Sequence, residues 1–154
     1  MRRRHAVLAL GLLLSAPAGA ASPEADSLRA LAGGTMVQLA GHPVVSLPLR
    51  GAVRGRQQMV YEGLRLPGPP LLLHEGRWLV GWGCADPEPR QGCADRGLFL
   101  AFDAEGERLF LLLLENGAPI HLAPPRAGRW PGALAGPFSI FAPGLARGPV
   151  FDPD

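Results

Sequence analysis

Cys84 and Cys93 are the two residues whose chemistry is most distinctive in this sequence, and eight residues separate them. Two cysteines can be oxidised to a disulfide, or they can bind a zinc ion together with further cysteines or histidines. Zinc sites cluster their ligands at short spacing, whereas the histidines of this chain are isolated. The spacing disfavours zinc, and a disulfide follows if the protein folds in an oxidising compartment.

The remaining nucleophiles and bases form no catalytic pattern. Nucleophilic catalysis needs a serine or cysteine beside a base. None of the serines after residue 20 lies in a G-x-S-x-G turn, and the histidines there share no motif. These residues are Ser22, Ser27, Ser46, Ser139, His42, His74 and His121. We interpret His42 and His74 as turn residues and His121 as a satisfied residue of an edge strand.

Two pairs of carboxylates, Asp86/Glu88 and Glu105/Glu107, are spaced two residues apart. Glycosidases use two carboxyl groups about 5 to 9.5 Å apart across a cleft, which this spacing allows. A solvated hairpin end explains the second pair, and nothing in the sequence signals a cleft at the first. Metalloprotease, EF-hand and phosphate-loop patterns are absent. We therefore expect no catalytic residue, no metal and no cofactor, and a small hydrolase is the least favoured interpretation.

The first 20 residues have the pattern of a secretory signal peptide. Arg2, Arg3 and Arg4 form a basic start, residues 6–14 are an unbroken apolar run, and residues 18–20 are small. A bilayer span needs about 20 apolar residues, so this run is too short to cross a membrane. We expect cleavage after Ala20, a single domain over residues 21–154, and a periplasmic or secreted protein with no membrane span. An uncleaved anchor helix is the alternative.

Export changes the interpretation of both the charge and the cysteines. The whole chain has a formal net charge of +2, but cleavage leaves 12 arginines against 13 acidic side chains, a net charge of −1. That balance argues against a nucleic-acid-binding protein, which needs a strong positive field. An oxidising compartment favours a Cys84–Cys93 disulfide over a zinc site.

The loop closed by this disulfide is the best candidate for a binding site. Its polar and proline residues are Asp86, Pro87, Glu88, Pro89, Arg90 and Gln91. Two prolines and a disulfide leave little loop entropy to lose on binding, which suits recognition of a protein target. The alternative is a structural staple that only ties two strands together.

The elements that position this loop are predicted to form one α+β domain. Gly and Pro together make up 38 residues, which favours many turns and few long helices. Short apolar segments separated by turns predict an antiparallel meander of about five strands, with one or two short helices packed on it. The predicted strands are residues 71–73, 78–84, 97–102, 108–114 and 120–122. Residues 109–114 are apolar on both faces, so this strand should be covered on both sides.

Several flanking segments carry weaker signals. Residues 36–39, 44–47 and 138–141 are predicted as short strands, the last at a sheet edge. Residues 57–61 fit a strand or a helix end, and a helical turn is expected near residues 132–135. Asp26 or Ser27 is expected to cap a first short helix that reaches Leu31.

The central region resembles the periplasmic inhibitor of vertebrate lysozyme (Ivy) family. Residues 78–84 are similar to the family's strand that ends in cysteine, and residues 93–102 to the cysteine and apolar strand that follow its short loop. Upstream, residues 58–60 and 66–67 are similar to the family's helix end and Leu-Pro step. The resemblance covers residues 57–115 and is strongest over residues 71–103.

The resemblance implies both a fold and a partner. The family fold is a five-stranded antiparallel sheet packed with helices, and a homodimer is compatible with it. Its disulfide-closed loop enters the lysozyme cleft, where a loop histidine reaches the catalytic carboxylates. Here the loop has eight residues between the cysteines rather than four and lacks a histidine, so Arg90 is its one cation. We expect a non-enzymatic protein that binds a protein target, with c-type lysozyme as the implied one and a periplasmic domain with another partner as the alternative.

Overall fold

The computed structural model describes residues 22–86 and 92–153. The predicted signal peptide lies outside these residues, as do Pro87, Glu88, Pro89, Arg90 and Gln91 of the loop. Within the described part of the chain, four short helices precede five strands, and a 3-10 turn and a fifth helix follow. The elements are α1 (Pro23–Arg29), α2 (Met36–Gly41), α3 (Pro43–Ala52), α4 (Gln57–Gly63), β1 (Leu72–His74), β2 (Trp78–Cys84), β3 (Gly97–Asp103), β4 (Leu109–Glu115), β5 (Ala118–Ala123), the 3-10 turn (Gly132–Leu134) and α5 (Ala135–Phe141).

The five strands form one antiparallel sheet in the order β1-β2-β3-β4-β5. The predicted α+β meander is confirmed, although more short helices cover it than the one or two expected. Asn116 and Gly117 both have positive φ at the tight turn between β4 and β5, a conformation that asparagine and glycine tolerate best. The register of β2 and β3 runs without interruption from Trp78 opposite Asp103 to Cys84 opposite Gly97. The two cysteines therefore lie at the end of the sheet where β2 passes to β3.

Both faces of the sheet are covered by hydrophobic core. One face packs against the N-terminal helices through residues that include Leu79, Leu100 and Leu111. The opposite face packs against the C-terminal segment, where Phe99 contacts Trp130. Every residue of β3 is buried, and β4 is buried except at its two ends. The expectation that residues 109–114 are covered on both sides is confirmed.

Residues 36–39 and 44–47 are helical, so the prediction of strands there was wrong. The side chain of Thr35 accepts a hydrogen bond from the Gln38 backbone at 3.2 Å, and the Gln38 side chain accepts one from the Thr35 backbone at 2.8 Å. This capping box starts α2. Pro43 occupies the first turn of α3, where its missing N–H costs nothing. Burial of one face of each helix against the sheet outweighs the strand propensity of the valines.

Residues 138–141 are also helical, in α5, rather than an edge strand. Phe138 and Phe141 are three residues apart, which places both on one helix face, and both are buried. The alternation of Phe-Ser-Ile-Phe fits this spacing as well as it fits a strand. At the other end of the chain, Ser22 rather than Asp26 or Ser27 caps α1, and that helix ends at Arg29. Residues 57–61 lie in α4, one of the two alternatives left open for them.

A buried carboxylate fixes the end of the sheet opposite the cysteines. Asp103 is fully buried and accepts two hydrogen bonds of 2.7 Å from Arg77 and one of 3.0 Å from Arg108 Nη2. It also accepts hydrogen bonds from the backbone of Glu105 and Gly106. Burial alone would raise the pKa of Asp103, but the hydrogen bonds from Arg77, Gly106 and Arg108 hold it well below its usual range. The charged carboxylate therefore stabilises the β3–β4 turn.

We expect Asp103→Asn to lower the free energy of unfolding by about 2–3 kcal/mol at neutral pH. This loss of stability is at or below the usual cost of breaking a buried ion pair. The reason is that Asp103 is buried but both arginines remain in contact with water. Since folding lowers the pKa of Asp103, its contribution is complete above about pH 5 and falls as the pH drops below that value. Urea unfolding at neutral and acidic pH measures this contribution.

Asp152→Asn is the matched control, because Asp152 forms an ion pair with Arg129 in which both side chains are exposed. It should cost at most about 1 kcal/mol. If the two substitutions lower the free energy of unfolding equally at neutral pH, the buried ion pairs of Asp103 stabilise this turn no more than an exposed ion pair would.

Candidate functional site

The β2–β3 connection is closed at its base by a disulfide. Cys84 and Cys93 are bonded, with their Cα atoms 5.3 Å apart, and both residues are buried. The predicted disulfide is therefore present in the structure. Cys84 is the last residue of β2, so its position is set by the continuous β2–β3 register. We call the segments of residues 84–86 and 92–96 the loop neck.

Several backbone hydrogen bonds hold the loop neck, and three of them involve Ala85 or one of the cysteines. Ala85 N–H donates to Arg96 O across the neck at 2.9 Å. Cys84 N–H donates to Pro67 O at 2.9 Å, which ties the neck to the proline-rich segment before β1. Cys93 N–H donates to Phe141 O at 2.6 Å, which ties it to the end of α5. These bonds, with the disulfide, fix the neck from three directions.

Gly92 is confined between the loop and α5. Its φ is +65°, and a Cβ atom there would lie 2.5 Å from Phe141 O and 2.7 Å from Pro143 Cδ. Only glycine fits this combination of backbone conformation and contact without rearrangement. This close contact holds the second segment of the neck, residues 92–96, against the end of α5.

An aromatic cluster supports the neck from beneath. Trp82, two residues before Cys84, stacks on Phe99 with the ring centroids 6.5 Å apart. Phe99 in turn contacts Phe141 at 5.6 Å between centroids. The end of α5 that binds Cys93 is therefore anchored in the same core as β2 and β3. The neck is a rigid base for whatever the loop contacts.

The structure places part of the predicted binding loop. Asp86 is exposed at the end of the described first half of the neck. The other five predicted binding residues, Pro87 to Gln91, lie outside the described residues. Arg96 is a further exposed cation at the neck that the sequence analysis did not single out. Its position opposite Ala85 arises from the strand register, which a search for motifs inside the loop does not consider.

A comparison with known protein families identifies the family to which this chain belongs. The sequence model described as inhibitor of vertebrate lysozyme (Ivy) matches residues 45–142. The chain belongs to the Ivy family. The match begins in α3 and ends after α5, so it includes the whole sheet, the loop neck and the helix end that supports it. Searches among curated proteins and solved structures found no significant match.

The other chemically reactive residues of this Ivy chain are in structural positions. His42 Nε2 lies 3.1 Å from Ser27 Oγ, a pairing that the sequence did not suggest. The hydroxyl of Ser27, however, donates to Glu24 O at 2.8 Å. A catalytic serine instead donates its proton to the imidazole. The pair is therefore arranged to hold α1 against the start of α3 rather than to activate a nucleophile.

His121 and Glu105, two of the other candidates, also have structural partners. His121 Nε2 donates to Ala52 O at 2.7 Å, as expected of a satisfied residue on the edge strand β5. Glu105 accepts a hydrogen bond of 2.9 Å from Arg29. Residues 22–86 and 92–153 contain no group of three or more side chains suited to hold a metal ion. They also contain no helix that is both long and apolar enough to cross a membrane.

We expect Gly92→Ala to lower the free energy of unfolding by about 1–3 kcal/mol, measured by urea unfolding without reductant. Alanine must adopt a positive φ and displace Phe141 or Pro143, and each change adds to the cost. Gly136→Ala in α5 is the control, because a Cβ atom there meets nothing within 4 Å. It should be neutral or stabilising by up to about 1 kcal/mol, as usual for Gly→Ala in a helix. A neutral Gly92→Ala would contradict the described packing of the neck on α5.

Proposed function

We propose that the mature chain is an exported, non-enzymatic inhibitor of lysozyme that blocks the active-site cleft with the loop closed by Cys84–Cys93. Membership of the Ivy family is the observation that carries this proposal, because its description names the inhibited enzyme. The proposed inhibitor is the single domain of residues 21–154, released into the periplasm or secreted after cleavage behind Ala20. A c-type lysozyme is the proposed partner.

The rigidity of the loop neck supports insertion of the loop into a cleft. Binding is weakened by the entropy lost when a mobile loop is ordered, and a loop that is already constrained loses less. Here the disulfide and the hydrogen bonds from Ala85, Cys84 and Cys93 hold both ends of the loop. The prolines at 87 and 89 restrict the backbone between them further.

Charge decides which loop residue can meet the catalytic carboxylates of a lysozyme. Lysozyme carries two catalytic carboxyl groups in its cleft. Arg90 is the only cationic residue between the two cysteines, and arginine can bind a carboxylate through two parallel hydrogen bonds. Asp86 and Glu88 oppose this pairing by like-charge repulsion. Arg90 is therefore the loop residue that we propose contacts the catalytic carboxylates of the enzyme.

The acidic residues also favour one alternative. A loop with two acids and no histidine suits a target with a basic surface, in which case the chain is a periplasmic binding domain for another protein. If the loop binds no partner, the disulfide serves only to tie the two strands together. Inhibition of lysozyme distinguishes both alternatives from the proposed function.

We expect the mature chain to inhibit lysis of a peptidoglycan suspension by c-type lysozyme, and Arg90→Ala to weaken that inhibition by at least about tenfold. Removal of one partner of a desolvated charge pair typically costs about 2–5 kcal/mol. Asp86→Asn should leave inhibition unchanged or improve it, because it removes a repulsive charge. The inhibition constants from these titrations test the assignment.

Arg54→Ala is the matched control, since Arg54 is an exposed arginine in the turn after α3 and lies outside the loop neck. The thermal midpoint of each variant separates loss of binding from loss of folding. Equal inhibition by wild type and Arg90→Ala would contradict the role of Arg90, and a wild-type chain that inhibits no lysozyme would favour the alternatives.

A further inference from the structure

A cavity open to solvent lies between the C-terminal half of α3, the edge strand β5 and the segment that follows β5. Its volume is about 710 Å³, which is within the usual range for small-molecule sites. The residues that line it are Pro48, Ala52, 108–110, 121–125 and Arg129. The strand β4 begins at this end of the sheet, whereas the loop neck lies at the other end. The cavity is therefore separate from the proposed lysozyme-binding loop.

The walls of this cavity are largely apolar. Pro48, Leu122 and Pro124 line it, and each is half-buried, so apolar surface of each remains accessible. Apart from two arginines, the one polar side chain among the described residues that line the cavity is His121, and its Nε2 already donates to Ala52 O at 2.7 Å. A bound peptide would need partners for its backbone N–H and C=O groups. Such walls suit an aliphatic chain better.

Arg108 and Arg129 both line the cavity, and none of the described residues that line it is acidic. Arg108 donates to Asp103 through Nε at 3.2 Å and through Nη2 at 3.0 Å. Arg129 contacts Asp152 through Nε at 2.6 Å and donates to Phe151 O through Nη2 at 2.8 Å. In the described part of the chain, the Nη1 group of neither arginine has a hydrogen-bond partner. Both guanidinium groups are thus held in place and keep N–H donors for an anion.

We propose that this cavity binds the anion of an aliphatic carboxylic acid, with the carboxylate at Arg108 and Arg129 and the chain against Leu122 and Pro124. Arginine forms charge-assisted hydrogen bonds with a carboxylate, and the chain removes apolar surface of the walls from water. A neutral chain gains only the second contribution, so the site should distinguish an acid from an alcohol of equal length. This site is independent of the proposed inhibition of lysozyme, because it involves neither the loop nor its neck.

Isothermal titration calorimetry of residues 21–154 with octanoate tests the proposal, with 1-octanol as the neutral probe of equal chain length. We expect saturable binding of octanoate that is at least about threefold tighter than that of octanol. Arg129→Gln should weaken octanoate binding about threefold to fivefold, as for an ion pair that water reaches, and leave octanol binding unchanged. Asp152→Asn should tighten octanoate binding about twofold, because it removes the carboxylate that competes for Arg129.

Arg126→Gln is the matched control, because Arg126 is an exposed arginine of the same segment that does not line the cavity. It should bind octanoate as the wild type does. Arg108→Gln is the second test variant and should weaken octanoate binding by a factor similar to that of Arg129→Gln. Since it also removes hydrogen bonds to Asp103, its thermal midpoint is measured to establish that it is folded.

Four outcomes would overturn the proposal. The first is no binding of octanoate, and the second is binding of octanol as tight as that of octanoate. The third is an equal loss of octanoate binding in Arg126→Gln and Arg129→Gln, which would indicate a general effect of net charge. The fourth is tighter binding of an N-acetylated leucine dipeptide than of octanoate, which would assign the cavity to the carboxyl end of a peptide.

Discussion

Burial of β3 on both faces is the constraint on which the rest of the structure depends. Every residue of this strand is buried, so neither the N-terminal helices nor the C-terminal segment can be removed without exposing a hydrophobic surface of the sheet. Different interactions fix the chain at the two ends of this strand. Asp103 holds the turn at one end through its arginines, and the disulfide closes the loop at the other.

The contacts that stabilise the fold also hold the loop that is proposed to bind the target. The loop neck is held by β2 and β3 themselves, by the proline-rich segment at Pro67 and by α5 at Phe141. Each of these supports belongs to the core or is bonded to it, so movement of the neck requires movement of the core. A loop on such a base suits an inhibitor that must keep its shape in an enzyme cleft.

The sheet could be predicted from the sequence because its signals are local. Asn116-Gly117 marks a hairpin turn, and the apolar segments on either side have the length of strands. The helices that cover it were harder to recognise. Val37, Val44 and Val45 favour strands, but the capping box at Thr35, Pro43 in the first turn of α3 and the packing of one helix face on the sheet make their segments helical. Phe138 and Phe141 fit both periodicities, so the choice between strand and helix there depends on tertiary packing.

The candidate site could be predicted in part for the same reason. The disulfide could be predicted from the spacing of the cysteines and the signal-peptide pattern of residues 1–20, both of which are local properties of the sequence. The contact of Cys93 with Phe141 could not be predicted, because it joins parts of the chain that are far apart in the sequence. The family resemblance implied a role for the loop but gave no sign of this contact.

The central claim is that the loop occupies the cleft of a lysozyme. Calorimetric titration of the mature chain, residues 21–154, into c-type lysozyme tests it most directly when repeated with a soluble N-acetylglucosamine oligosaccharide filling the cleft. The account predicts saturable binding to lysozyme that the oligosaccharide weakens in proportion to its own occupancy. Binding that is unaffected by a filled cleft, or no binding at all, would contradict it.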